Sequence, residues 1–268
     1  MKEMLLAEIK QTELHILKHL DSFCRENGLR YFLSNGTLLG AVKYKGFIPW
    51  DDDIDILMPR TDYDQLIEFY ADSEDFQLIA SERCHDHIFP FAKLCDRHTI
   101  QDNGLVIDGQ HIGLSIDIFP LDYWPEARKA AVQWAKRGQK QLNMLGFSIS
   151  EFCPGRSLLR TVAKNIIIAA AKLVGKRRWA AWLNHSLQII RTSAGTAFMG
   201  CAAWPVYGER EVLPASIFDE TIQIQFEDAL YPAPAGYDIY LRSLYGAYEE
   251  DPPPEKQRSH HRFKAYRK

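Results

Sequence analysis

The sequence predicts an α+β fold in which a mixed β-sheet is flanked by helices and an additional, mostly helical region is present. Short runs with alternating apolar residues in the first half indicate strands, and amphipathic stretches between them indicate helices. The pattern over 126–195 is instead mostly helical, and proline and aromatic residues return after 204. We therefore expect a core at 1–124, a helical insertion at 125–203 that could face a binding partner or a membrane, and a C-terminal segment at 204–268 that completes the core.

The first predicted elements are a helix, a strand and a second helix. Apolar residues recur at helical spacing over 3–26, and Gly28 ends that pattern. The run "LRYFLS" at 29–34 is typical of a short strand. "NGTLLGAV" follows, with Gly36 at a turn and Thr37 placed to start a helix.

Five further elements complete the predicted core. "DIDILM" at 53–58 reads as a strand, and "RTDYDQLIEFYAD" as a helix that Thr61 caps. "FQLIAS" and "IFPFAKLC" have the composition of strands. "GLSIDIFPLDYW" at 113–124 predicts another strand, which Pro120 closes.

Composition excludes several classes of protein. The formal net charge of the 268 residues is −3, so no basic field indicates a nucleic-acid partner. The five cysteines are scattered and form no CxxC pair, which argues against a disulfide framework or a zinc site and favours a reducing compartment. Charges recur every few residues at the N-terminus, which does not resemble a signal peptide, and the run "NIIIAAAKLVG" is far shorter than the ~20 residues of a spanning helix. We expect a cytoplasmic protein, with peripheral contact to the inner face of the plasma membrane as a further expectation.

The stretch "PWDDDIDILMP" crowds four aspartates next to a predicted strand. Side chains alternate along a strand, so Ile54 and Ile56 share one face while Asp53 and Asp55 share the other, with Cα atoms ~6.5–7 Å apart. Repulsion between the two carboxylates would only cost free energy unless a cation lay between them. A hard divalent cation such as Mg²⁺ prefers oxygen ligands and would reverse that cost. The competing interpretation is a solvated acidic turn.

A second acidic position lies in "SIDIF", where Asp117 is flanked by isoleucines. If this strand lies beside the first, three carboxylates converge on one patch, which could hold two Mg²⁺ ions about 3.5–4 Å apart. The alternative is an ordinary edge-strand aspartate. In an ideal strand Asp52 faces the other way, and Asp51 lies beside the break at Pro49 and Trp50.

The turn "SNGTLLG" has the features of an anion site. A helix that begins at small residues presents free N–H groups and the positive end of its dipole, so Gly36 would let a phosphate approach closely. Ser34, Asn35 and Thr37 could add hydrogen bonds, although such a turn often serves only to cap a helix. The order of strand, Gly-Thr helix, acidic strand and further acidic strand resembles the nucleotidyltransferase superfold of DNA polymerase β, in which such a turn holds nucleotide phosphates and three carboxylates hold magnesium.

Longer stretches resemble the LicD family, which includes phosphocholine transferases of bacterial surface glycans and is related to the fukutin-type ribitol-phosphate transferases. The resemblance is carried by "LSNGTLLGAVKYKGFIPWDDDIDILMPRTDYDQL", "FAKLCDRHT", "SIDIFPLD" and "YDIYLRSLYGAYEEDPPPEKQRSHH". It spans about 30–124 and 230–261, and the helical middle contributes little. One departure is Ala247 in "YGAYEE", where the family pattern has an acidic residue; the departure does not touch the predicted metal site.

The resemblance implies transfer of a phospho-alcohol from a CDP-linked donor to a glycan hydroxyl, with release of CMP. By the same resemblance Asp53 and Asp55 hold the Mg²⁺ of the donor, while Asp117 completes the metal site and accepts the proton of the acceptor hydroxyl. The implied partners are CDP-choline or a related CDP-alcohol and a lipid-linked glycan such as a teichoic acid precursor. No residue distinguishes choline from ribitol or glycerol.

Several other side chains are candidates for substrate binding. Lys93 in "FAKLCDRHT" and His260 after the "PPP" segment could bind phosphate, whereas Lys43 and Lys45 fit a surface role better. A choline group would need an aromatic cage. The candidates for that cage are Trp50, Trp124, Trp204, Tyr207 and Tyr231.

Alternative functions remain open at this point. A glycosyltransferase could use a DxD motif to hold a nucleotide sugar through a metal; it needs neither the Gly-Thr helix nor Asp117, and it would release a nucleoside diphosphate instead of CMP. A Ca²⁺-binding module is disfavoured because "DDDIDILMPRTD" lacks the glycine and glutamate of an EF-hand loop. The intact carboxylates argue against a pseudoenzyme scaffold. "KRRWAAW" in the helical middle fits either an anionic membrane surface or a solvated helix with buried tryptophans.

Overall fold

The computed structural model describes residues 1–102, 106–107, 109–152, 157–190, 195–258 and 263–268. The chain forms two compact units. The larger unit comprises Met1–His87, Phe91–Leu121 and Leu213–Lys268, and the smaller unit comprises Ile88–Pro90 and Asp122–Val212.

The described residues contain α-helices and short strands, numbered here in chain order. The helices are α1 (Leu6–Asn27), α2 (Asn35–Tyr44), α3 (Arg60–Phe69), α4 (Arg128–Ile149), α5 (Leu158–Val174), α6 (Lys176–Ile190) and α7 (Tyr237–Tyr245). The strands are β1 (Lys2–Glu3), β2 (Phe32–Leu33), β3 (Asp55–Pro59), β4 (Phe76–Ile79), β5 (Ala92–Asp96), β6 (Thr99–Asp102), β7 (Val106–Ile107), β8 (Gln110–His111), β9 (Ser115–Tyr123), β10 (Phe198–Gly200), β11 (Leu213–Pro214), β12 (Thr221–Phe226), β13 (Ala229–Pro234) and β14 (Lys264–Arg267). None of these helices is both long and apolar enough to cross a bilayer.

The central sheet of the larger unit is mixed, which confirms the predicted combination of a mixed sheet and helices. Strand β3 pairs in parallel with β9 and antiparallel with β2. On the other side of β9, strand β5 pairs antiparallel with it and also with β4. Strand β9 therefore lies between β3, which carries Asp55, and β5, which carries Lys93.

Helix α1 shows why the first amphipathic stretch folds as predicted. Its buried positions, including Ile9, Leu17 and Leu20, recur at helical spacing and are less than one-tenth exposed. The helix ends at Gly28, which adopts a left-handed conformation with φ 67° and donates its N–H to the carbonyl of Arg25. Glycine reaches this conformation without steric cost, which confirms the predicted end of the helix.

Strand β9 continues through Pro120 to Tyr123, so the prediction that Pro120 closes the strand is wrong. The N–H of Asp117 donates to the carbonyl of Ile54, beside β3, and alternate residues of β9 therefore point their N–H groups toward β5. The pairing with β5 ends at Ile118. The backbone nitrogen of residue 120 faces the side of β5, where the pairing has already ended. A proline there, which has no N–H, therefore costs the sheet no hydrogen bond.

The last described residues of the sequence include a strand that belongs to a second sheet. Strand β14 pairs antiparallel with both β1 and β6, which forms a three-stranded sheet within the larger unit. Ala265 of β14 is buried in a small apolar cluster with Met4, Ile9 and Leu114. The basic side chains therefore project from an ordered strand.

The smaller unit contains the three long helices α4, α5 and α6, in the stretch where the sequence shows a helical pattern. One apolar cluster of this unit joins Leu142 and Leu145 of α4 to Ala180 and Leu183 of α6, with Ile88. Strand β10 pairs with the last two residues of β9, which belong to this unit.

Candidate active site

Three neighbouring strands of the larger unit bring two acidic residues and one lysine into register. Asp55 of β3 lies opposite Asp117 of β9, and Asp117 lies opposite Lys93 of β5. Residues directly opposite one another on adjacent strands project from the same face of a sheet. The Lys93 ammonium forms an ion pair with Oδ1 of Asp117. The predicted neighbourhood of the two acidic strands is therefore present in the fold.

Electrostatic repulsion is concentrated at Asp55. Burial raises the pKa of its carboxyl well above the ordinary value, and the neighbouring Asp53 and Asp117 carboxylates raise it further. Asp53 itself is half-buried and lies just before β3, because that strand begins two residues later than predicted. Burial alone would lower the pKa of Lys93, but Asp117 raises it above its ordinary value and keeps the lysine charged.

The donor chemistry of this patch fits a hard divalent cation. Asp53, Asp55 and Asp117 offer only carboxylate oxygens, and a cation among them would relieve the repulsion at Asp55. As placed, however, the side chains in the described ranges form no group of three or more His, Cys, Asp or Glu close enough to hold a metal ion. Magnesium binding therefore stays a prediction.

Helix α2 begins two residues earlier than predicted, at Asn35 instead of Thr37. Ser34 is the N-cap residue, with an extended backbone at φ −139° and ψ 174°. Gly36 consequently lies inside the first turn of the helix and not in a turn before it. The Ser34 hydroxyl is fully buried and has no hydrogen-bond partner within the described residues. This helix start lies beside the acidic strand, since the Ser34 N–H donates to the carbonyl of Asp55 at 3.1 Å.

Asn35 and Thr37 hold Asp55 in place from the first turn of α2. The Asn35 amide donates to Oδ2 of Asp55 at 3.2 Å, and the backbone N–H of Asp55 donates to the Thr37 hydroxyl at 2.8 Å. Tyr240 of α7 holds Asn35 in turn, because its hydroxyl donates to the Asn35 side-chain oxygen at 3.0 Å and accepts the Asn35 N–H at 3.3 Å. Asn35 has a positive φ of 45°, a conformation that asparagine tolerates better than most residues.

Asp51 occupies space next to Gly36, where the sequence predicted room for a phosphate. A Cβ at position 36 would lie 2.8 Å from Oδ2 of Asp51. Asp51 and Gly36 are therefore in close approach. The Asp51 carboxylate occupies the space that a side chain at position 36 would need. An acidic side chain near a helix N-terminus is favoured by the helix dipole.

The structure adds a carboxyl that sequence reasoning missed, Glu13 of α1. It is 2 % exposed, and its Oε2 has no hydrogen-bond partner in the described part of the chain. Burial raises the pKa of Glu13 well above the ordinary value, with further contributions from Asp53 and Asp52. A signal was present in the sequence, because Glu13 occupies an apolar position of the helical pattern, four residues from both Ile9 and Leu17.

The other predicted binding residues occupy varied surroundings. Trp50 contacts Tyr44 edge-on, with ring centroids 6.3 Å apart, while Lys43 forms an ion pair of 2.5 Å with Asp251. Lys45 ends α2 in a left-handed conformation. The Lys43 side chain is only 14 % exposed, so it is more buried than the expected surface role implies.

Two aromatic residues proposed for a choline cage are core residues, so that expectation is wrong for them. Trp124 and Tyr231 are each 1 % exposed. The Trp124 indole N–H donates to the carbonyl of Glu211 at 2.9 Å, which gives it a structural partner in the smaller unit. Trp204 packs edge-on against Phe89, with centroids 5.5 Å apart. His260 and His261 lie outside the described residues, so the predicted role of His260 has no structural account.

Part of the sequence matches a known protein family. Residues 28–147 match the family described as LicD/FKTN/FKRP, nucleotidyltransferase domain. That match contains β2, α2, β3, β5 and β9, the elements that carry the site. This match confirms the resemblance to the LicD family that the sequence indicated.

Individual relatives extend the similarity beyond that domain. The lipopolysaccharide cholinephosphotransferase LicD of Haemophilus influenzae is 28 % identical over 273 residues, which cover 99 % of each chain. An uncharacterized protein of Rickettsia typhi is 32 % identical over 113 residues, which cover 38 % of this chain and 36 % of that protein. A second uncharacterized protein, from Rickettsia prowazekii, is 44 % identical over 41 residues, or 15 % of each chain.

Proposed function

We propose that this protein is a phosphocholine transferase that uses CDP-choline, or a similar CDP-linked alcohol, and Mg²⁺. The acceptor in this proposal is a sugar hydroxyl of a cell-surface glycan such as a teichoic acid precursor. The observation that carries the proposal is the in-register row of Asp55, Asp117 and Lys93 beside the start of α2. The similarity over nearly the whole chain to a protein named as a cholinephosphotransferase supports the transferred group.

The proposed reaction exchanges one phosphorus–oxygen bond for another. The acceptor oxygen attacks the choline-bearing phosphorus of the donor, the bridging bond of the pyrophosphate breaks, and CMP leaves. The acceptor proton must move to a base within hydrogen-bond reach, for which we propose the Asp117 carboxylate. Phosphoryl transfer of this kind depends mainly on positioning and charge neutralisation, and the chain offers side chains for both.

Each residue of the site has a role in this proposal. Asp53, Asp55 and Asp117 would hold a divalent cation, which when bound would neutralise charge on the donor phosphates. Lys93 is buried and paired with Asp117, and its ammonium would supply a second positive charge near the same phosphates. Asn35 and Thr37 would keep Asp55 oriented, because both hydrogen-bond to it.

Incubation of the protein with a panel of CDP-linked alcohols and Mg²⁺, with and without a glycan acceptor, tests the proposal. We expect CMP release from CDP-choline that requires Mg²⁺ and is lost in Asp53→Asn and Asp55→Asn. Asp64→Asn is the matched control, since Asp64 is half-exposed on α3. Release of a nucleoside diphosphate from a nucleotide sugar, with no CMP from any CDP-alcohol, would instead support a glycosyltransferase and overturn the proposal.

A further inference from the structure

The smaller unit contains a long stretch without acidic residues. No Asp or Glu occurs between Glu151 and Glu209, whereas Lys and Arg occur eight times there. The chain as a whole has 35 acidic residues and a formal net charge of −3, so this positive charge is local. The eight basic residues are Arg156, Arg160, Lys164, Lys172, Lys176, Arg177, Arg178 and Arg191.

Helix α5, in the middle of this stretch, exposes large aliphatic side chains along one side. Leu159, Val162, Ile166 and Leu173 are 80 %, 50 %, 63 % and 88 % exposed. At 3.6 residues per turn they fall within about 60° of one another around the helix axis. We call these four residues the aliphatic stripe.

The opposite side of α5 supplies the packing contacts of the helix. Ile168 and Ala171 are fully buried, and helical geometry places both on the side away from the aliphatic stripe. The stripe is therefore a second apolar face, additional to the face that helps build the core of the smaller unit. An amphipathic helix of an ordinary globular protein has one apolar face and a polar opposite side.

Basic side chains flank the stripe on both sides. The helical position of Arg160 lies on one flank and that of Lys172 on the other, and both side chains are exposed. The Lys172 ammonium lies 5.5 Å from the ring centroid of Phe152, which is itself 60 % exposed. A helix with an exposed apolar side, basic flanks and neighbouring aromatic residues has the composition of an interfacial membrane helix.

We propose that this face of the smaller unit binds a lipid bilayer with anionic headgroups, with α5 lying in the plane of the interface. A bilayer satisfies both features at once, because the aliphatic stripe can enter the acyl boundary while Lys and Arg reach lipid phosphates. A second copy of the chain would bring the same positive charges against each other. A soluble polyanion would use the charges but would leave the aliphatic stripe in water.

This inference rests on the charge and exposure of the smaller unit and does not require the proposed reaction. If the protein does use a lipid-linked acceptor, binding at the bilayer would place the enzyme where such an acceptor is anchored. Vesicle binding measured without nucleotide therefore fails or succeeds independently of CMP release.

Co-sedimentation of the full chain with lipid vesicles tests the proposal. We expect binding to vesicles of phosphatidylcholine containing 30–40 % phosphatidylglycerol (about one lipid in three, a composition chosen to supply anionic charge), weakened at high salt. Ile166→Glu with Leu173→Glu should lower the binding at least about tenfold, and Arg160→Glu with Lys172→Glu should do likewise. The matched control is Leu230→Glu, which changes a residue of similar exposure, 57 %, in the larger unit.

Because all four changed positions are exposed, the variants should fold, and circular dichroism together with thermal melts would verify that they do. Equal binding of wild type and both double variants to anionic vesicles would overturn the proposal. An absence of vesicle binding would also overturn it. If sedimentation velocity then showed a dimer that Ile166→Glu disrupts, the aliphatic stripe would be an interface between two copies of the chain instead.

Discussion

Asp55 is the residue on which most of the site converges. Its side chain accepts a hydrogen bond from Asn35, and its backbone N–H donates one to Thr37. It lies opposite Asp117 across the parallel strand pair. Its pKa is raised, first by burial and then by Asp53, so an ionised Asp55 destabilises the metal-free fold. This cost at one position is what we expect of a site that binds an additional positive charge.

Replacing Asp55 by asparagine should therefore separate activity from stability. We expect Asp55→Asn to lower CMP release by about a thousandfold, the effect of several kcal/mol of lost charge neutralisation. In the absence of divalent cations the same variant should melt at a higher temperature than wild type, because the repulsion from Asp53 is removed. Activity assays and thermal melts in a chelator check the two effects. A variant that retains near-wild-type turnover would contradict the assigned role.

Thr37 gives a second test at the same scale. Thr37→Val leaves the buried N–H of Asp55 without its acceptor, a cost of about 1–3 kcal/mol, and frees Asp55 to move. We expect the variant to raise the KM for the CDP-linked donor more than Cys95→Ala does, although Cys95 is equally buried. Steady-state kinetics on both variants measure the difference. Equal KM values for the two variants would show that Thr37 has only a structural role at the start of α2 and none in donor binding.

At the scale of elements, patterns that depend on neighbours along the chain could be predicted, whereas contacts made by distant residues could not. The end of α1 at Gly28 follows from local conformational preference, and the pairing of the two acidic strands was correctly expected. The start of α2 and the continuation of β9 through Pro120 were missed. Both depend on partners far away in sequence: Asp55 accepts the Ser34 N–H, and β5 ends beside Ile118.

Glu13 and Tyr240 illustrate the part of the site that sequence reasoning left out. Glu13 interrupts an apolar helical stripe, which marks a buried polar residue but does not reveal its neighbours. Tyr240 lies in the C-terminal block that resembles the family, yet only the fold brings its hydroxyl to Asn35, 205 positions away. The family resemblance located the strands, and the structure was needed to identify the side chains that orient them.

The short 3₁₀ turn Gly208–Glu211 ends in a buried carboxyl, that of Glu211, which should make the stability of the fold depend on pH. Glu211 is 3 % exposed, and burial raises its pKa to about 8, although N–H groups of Tyr207 and Cys201 oppose the rise. Between the unfolded pKa near 4.5 and the folded value, the native state binds a proton that the unfolded state has lost. Stability should therefore fall as pH rises through this range, by at most about 1.4 kcal/mol per pH unit from this group.

Glu211→Gln should remove that contribution. We expect the free energy of unfolding of the variant to change less between pH 5 and pH 8 (roughly the span between the two pKa values) than that of wild type. Denaturant titrations at several pH values check the prediction. If the two proteins show parallel pH profiles, Glu211 does not retain its proton on folding.

For the whole molecule, metal binding and folding should be coupled in the larger unit. A cation that binds the native carboxylates but not the unfolded chain stabilises by about 2.7 kcal/mol at a concentration one hundred times its Kd. We therefore expect Mg²⁺ to raise the melting temperature of wild type and of the control Asp64→Asn, but not of Asp117→Asn. An equal rise in all three proteins would indicate binding elsewhere.

The central claim is that Asp53, Asp55 and Asp117 bind a divalent cation together, and a crystal structure with Mn²⁺ and CMP tests it most directly. Anomalous scattering locates Mn²⁺ without ambiguity. We predict a peak about 2.0–2.3 Å from carboxylate oxygens of all three residues, with Asp117 at least partly withdrawn from Lys93. A peak elsewhere, or well-occupied CMP with Asp117 still paired to Lys93 and no metal beside Asp55, would contradict the account.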